Sequence, residues 1–136
     1  MTHLSDFLEL LKSHSSRPCI ESDGGMYTYA NLLDEIDRWQ GRFSWLDVRS
    51  GAVVGIRADH SLSSIAALIA LLLRQSVAAL LPRDCHCEKY VADCHATALL
   101  DLRPDGGYNW QPIAIETTHP LLERIRAGNE GGIVLF

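Results

Sequence analysis

A chain of 136 residues, 47% apolar and 21% charged, can bury a real core as one domain spanning 1–136, and it is too apolar to be disordered. Its formal net charge of −5, with no basic stripe interleaved with aromatics, gives no electrostatic reason to expect nucleic-acid binding. The longest unbroken apolar run, Ile65–Leu73, is about half the roughly 20 residues that a membrane-spanning helix needs.

The first residues, Met1 to Lys12, lack the basic and apolar regions of a secretory leader. The four cysteines, Cys19, Cys85, Cys87 and Cys94, therefore read as reduced thiols in a cytoplasmic protein. From His3 to His14 the apolar residues Leu4, Phe7, Leu8, Leu10 and Leu11 recur at helical spacing, and Ser15–Ser16–Arg17–Pro18 breaks the pattern. Cys19–Ser22 and Met26–Tyr29 flank Asp23–Gly24–Gly25. Glycine tolerates the positive φ that a tight turn demands, so this segment predicts a small hairpin.

Leu32, Leu33, Ile36, Trp39, Phe43 and Leu46 follow one another at steps of mostly three and four. That is an amphipathic helix from Tyr29 to Leu46, with Thr28 as its N-cap and Trp45 off the apolar stripe. Trp39 and Phe43 at this spacing read as core rather than as a stacking platform. Val48–Gly51 forms a turn and Ala52–Ile56 a strand buried on both faces. Ser61 to Arg74 is a helix apolar nearly all round, and Val77–Leu81 is the next buried strand, ended by Pro82.

Beyond it, Asp84 to Leu100 reads as another helix and Arg103–Gly107 as a loop. Ile113–Ala114–Ile115 follows as a short strand and Pro120 to Ala127 as a short helix. Ile133–Phe136 closes the sequence as a strand. Helices alternating with strands after Tyr29 predict an α/β fold: a layered, largely parallel sheet with helices on both faces, plus the small N-terminal β-hairpin.

Three stretches resemble, in order, the N-terminal subdomain of the adenylate-forming (AMP-binding) superfamily of acyl/aryl-CoA synthetases, luciferases and peptide-synthetase adenylation domains. Tyr27–Thr28–Tyr29–Ala30–Asn31–Leu32–Leu33 is similar to the opening of that family's first long helix. Val48–Ile56 is similar to its glycine turn and strand. His60–Ser61, the helix Ile65–Leu73 and the strand before Pro82 are similar to its next helix and strand. Gly131–Gly132–Ile133–Val134–Leu135–Phe136 resembles the strand that leads into its Ser/Thr/Gly-rich phosphate loop. The sequence departs from the family pattern at Ala52, at Gln75–Ser76 and at His60.

The resemblance implies a ligase that activates a carboxylic acid with ATP and Mg²⁺, then passes it to CoA or a carrier protein. The phosphate loop, its lysine and the ribose-binding acid would lie beyond Phe136, so no catalytic, cofactor-binding or metal residue is assigned within the chain. The resemblance therefore predicts a fragment that neither adenylates nor binds ATP tightly alone, and whose exposed sheet surface and Ile133–Phe136 edge favour a homodimer. A stand-alone, non-catalytic interaction domain with the same fold is the alternative.

Three further groups of residues have the composition of chemical sites. Cys85–His86–Cys87 with Cys94–His95 holds four soft ligands for zinc, but the two-residue spacer of a zinc knuckle is missing, and small helix residues with Cys94 buried fit better. His60 reads as a group bonding locally at a helix start. Asp34, Glu35 and Asp37 beside Arg38 read as a solvated helix face rather than an acid–base pair.

Overall fold

The computed structural model describes residues 2–22, 25–59, 61–81, 96–103, 107–113 and 132–135. Among the described residues ten elements follow one another: α1 (Thr2–Ser13), β1 (Pro18–Ser22), β2 (Gly25–Thr28), α2 (Tyr29–Trp45), β3 (Val53–Arg57), α3 (Leu62–Leu73), β4 (Val77–Leu81), β5 (Ala98–Leu102), β6 (Tyr108–Pro112) and β7 (Gly132–Leu135). β1 and β2 pair antiparallel as the expected hairpin. The other five strands form one sheet in the order β6-β5-β3-β4-β7. β3 is parallel to both β4 and β5, and β4 is parallel to β7. Only β6 runs antiparallel, against β5. The fold is α/β with a largely parallel sheet.

Local chemistry fixes both long helices at each end. The Thr28 hydroxyl accepts the Asn31 backbone N–H at 3.2 Å, while Asn31 Oδ1 accepts the Thr28 backbone N–H at 2.8 Å. This reciprocal box satisfies two donors at an end where helical backbone lacks partners. Ser61 and Ser64 do the same for α3, at 3.1 and 2.9 Å.

Both helices then stop in the same way. Val48 N–H reaches back to the Phe43 carbonyl at 3.0 Å and Asp47 N–H to Ser44 at 3.2 Å. Ser76 N–H reaches the Leu71 carbonyl at 3.0 Å and Gln75 N–H the Leu72 carbonyl at 3.0 Å. These are Schellman closures, in which the residue after the cap turns left-handed, a place that favours glycine. Here it is Asp47 at φ 58° and Gln75 at φ 59°.

Strand parity divides the core. Val54, Ile56, Ala78, Leu100 and Leu102 join Leu32, Ile36, Trp39 and Phe43 of α2 and Ala66, Ala67, Ala70 and Leu71 of α3 in one buried cluster. Leu11 of α1 seals it, with Cys19 and Ile20 of the hairpin against it. Full burial stabilises a side chain such as Phe43 by about 1.5–3 kcal/mol. On the other face Val53, Val77, Ala79 and Leu81 are also buried, as a sheet of this type requires. Of the further helices expected at Asp84–Leu100 and Pro120–Ala127, residues 84–95 and 120–127 lie outside the described residues.

One expectation is corrected. The end of the helix expected over Asp84–Leu100 is not helical, because Ala98–Leu102 is β5, with Ala98, Leu100 and Leu102 buried and Leu99 and Asp101 less so. That alternation of period two is a strand's, and pairing to β3 on one side and β6 on the other secures it. A strand not expected from the sequence, β6, runs over Tyr108–Pro112, and of the strand expected at Ile113–Ile115 the residues Ala114 and Ile115 lie outside the described residues. Ile113 is outside β6, although its N–H donates to the Thr97 carbonyl at 2.8 Å.

Candidate functional site

In open α/β sheets, ligands bind at the carboxyl ends of the parallel strands, where the loops converge. Here β3, β4, β5 and β7 share one direction, so Arg57, Leu81, Asp101–Leu102 and Leu135 mark that edge. The loop from β3 then passes Ala58 and Asp59 into the Ser61 cap of α3. Arg57 and Asp101 are register partners, and Asp101 in turn faces Asn109 of β6. Side chains alternate along a strand, so Arg57 and Asp101 lie on the face opposite that of Val54, Ile56 and Leu100.

The chemistry of this edge is limited. Among the described residues there is no group of three or more His, Cys, Asp or Glu able to hold a metal ion. At the start of α3 the Ser61–Ser64 box engages the backbone N–H groups of Ser61 and Ser64. No glycine-rich cradle for phosphates follows β3. The described residues of this edge thus include neither a cluster of carboxylates for magnesium nor a glycine-rich loop for phosphates.

The acidic group on α2 divides. Asp34 and Asp37 are exposed, as expected of a solvated face. Glu35 is not part of that face: its side chain is 13% exposed and lies 3.0 Å from Arg38 and 3.9 Å from Arg42. Arg42 itself stacks over Trp39, 4.5 Å from the ring centre, and over Tyr108 at 5.2 Å. The Arg42 stack was not foreseen. Its only sequence signal is Glu35, Trp39 and Arg42 at helical steps of four and three, and the Tyr108 half comes from a strand the sequence hid.

Trp39 and Phe43 are fully buried, with rings 5.3 Å apart. The Trp39 indole N–H donates to Ser63 Oγ at 3.0 Å, so its polar edge is used within the core. Trp45 lies off the stripe at 84% exposure. Burial pushes the Cys19 thiol above its ordinary pKa, against a smaller opposing effect of a hydrogen bond with Tyr29. His60, Cys85, Cys87, Cys94 and His95 lie outside the described residues.

At the opposite, amino edge of the sheet lies a cavity of about 300 Å³, walled by residues including Leu46, Val48, Val54, Ala98 and Trp110. No helix among the described residues is long and apolar enough to cross a membrane.

No protein-family model matches the chain, and no curated protein is similar to it in sequence. Solved structures are similar to it in fold. O-succinylbenzoate coenzyme A synthetase (MenE) from Bacillus subtilis matches 71% of the chain at 19% identity with a TM-score of 0.64. The N-terminal subdomain of NpsA from Klebsiella oxytoca matches 71% at 17% identity and 0.64. An artificially fused adenylation–PCP di-domain from the same organism, NpsA-ThdA, matches 91% at 13% identity and 0.68. The chain spans 22%, 26% and 23% of those three proteins. It has the fold found in part of the adenylation domains of AMP-dependent synthetases.

Proposed function

We propose that this chain is the N-terminal part of an ATP-dependent ligase that activates carboxylic acids. Such a ligase forms an acyl-adenylate and then a thioester with CoA or a carrier protein. The observation that carries this reading is the combination of that fold with the place of β7. β7 is a parallel strand beside β4, and Leu135, opposite Leu80, brings the chain to the edge where ligands bind in such sheets. A phosphate loop following Phe136 would emerge there. Support for the nucleotide comes from the fold neighbours: MenE has been seen with ATP and magnesium ion, and with the acyl-adenylate intermediate OSB-AMP. The artificial adenylation–PCP fusion supports a carrier-type acceptor.

On this reading the chain alone supplies scaffold and no chemistry. A cytoplasmic setting, the absence of nucleic-acid partners and self-association through the β7 margin belong to the same proposal. Ile133 is 47% exposed on a strand whose sequence, Gly132–Leu135, carries no charge to discourage pairing.

A second reading, a non-catalytic interaction domain, draws support from the large aromatic surface that Trp45 offers. The two readings separate on the coding sequence after Phe136. A Ser/Thr/Gly-rich loop followed by a lysine supports the ligase, whereas a stop codon supports the interaction domain.

A further inference from the structure

We draw no further inference here: the strongest candidate, the cavity at the amino edge of the sheet between Leu46, Val48, Ala98 and Trp110, has the charged lining groups found among the described residues, Asp47 and Arg49, bonded to each other, and nothing in the structure shows what occupies it.

Discussion

Arg74, the C-cap of α3, donates two hydrogen bonds to the carbonyl of Val48, at 3.0 Å from Nε and 2.6 Å from Nη2. Val48 lies just past the end of α2, so one guanidinium ties together the ends of both helices. Ser76 Oγ adds a bond to the Arg49 carbonyl at 3.1 Å, and Gly51 N–H one to the Gln75 carbonyl at 2.9 Å. A backbone carbonyl outside helix and strand needs a donor, and a charged donor satisfies it better than a neutral one. Arg74→Met is expected to lower the unfolding free energy by about 1.5–3 kcal/mol. Lys12→Met, which breaks an ion pair exposed on both sides, is expected to change stability by less than about 0.5 kcal/mol. Urea melts of the two variants decide it, and equal losses would show that the Arg74 clasp has no special weight.

Gln75 holds a left-handed backbone at φ 59° to close α3. An L side chain there strains against its own carbonyl, a cost that glycine avoids. Gln75→Gly is expected to raise stability by about 1 kcal/mol, with its backbone bonds kept. A lower denaturation midpoint for this variant would mean that the Gln75 side chain contributes more than its strain costs.

Two glycines make a contrasting pair. A Cβ on Gly41, on the exposed face of α2, meets nothing within 4 Å. Gly41→Ala is therefore expected to stabilise by about 0.5–1 kcal/mol through helix propensity alone. A Cβ on Gly55, at the centre of β3, meets Leu81 Cδ1 at 3.0 Å and Leu99 Cδ1 at 3.4 Å. Gly55→Ala is expected to destabilise by about 1–3 kcal/mol as buried Leu81 is forced to shift. Opposite signs in thermal melts confirm the packing; a stabilising Gly55→Ala contradicts it.

The self-association proposed through β7 would make the mass of the protein concentration-dependent. Ile133→Lys places a charge on that margin and is expected to hold the chain monomeric in sedimentation equilibrium. A monomer at all concentrations before the substitution, or a dimer that survives it, removes this edge from the proposal.

The sequence was most legible where its pattern was longest. The α2 stripe of Leu32, Ile36, Trp39 and Phe43 carries its own period, and all four are buried. β3 and β4 were legible as apolar runs bounded by turn residues. β5 was not, because Ala98–Leu102 follows directly on residues of helical character, and a short apolar run alone does not separate helix from strand. β6 hid because Asn109 and Gln111 dilute it and Pro112 ends it. It is a strand because β5 offers it an antiparallel partner and Tyr108 and Trp110 pack on Trp39 and Phe43. Glu35 was misread for the same reason. Its cover is built around Arg42, whose second stacking partner, Tyr108, is 66 residues further along, from 108 − 42 in the numbering.

The most direct test of the proposal is ATP–pyrophosphate exchange against a panel of carboxylic acids. It is run on the 136-residue chain and, in parallel, on the full product of its gene. The account predicts exchange by the full product with at least one acid and none by the chain alone. Exchange by the chain alone would contradict the claim that its reactive groups lie elsewhere, and silence from both would remove the ligase reading.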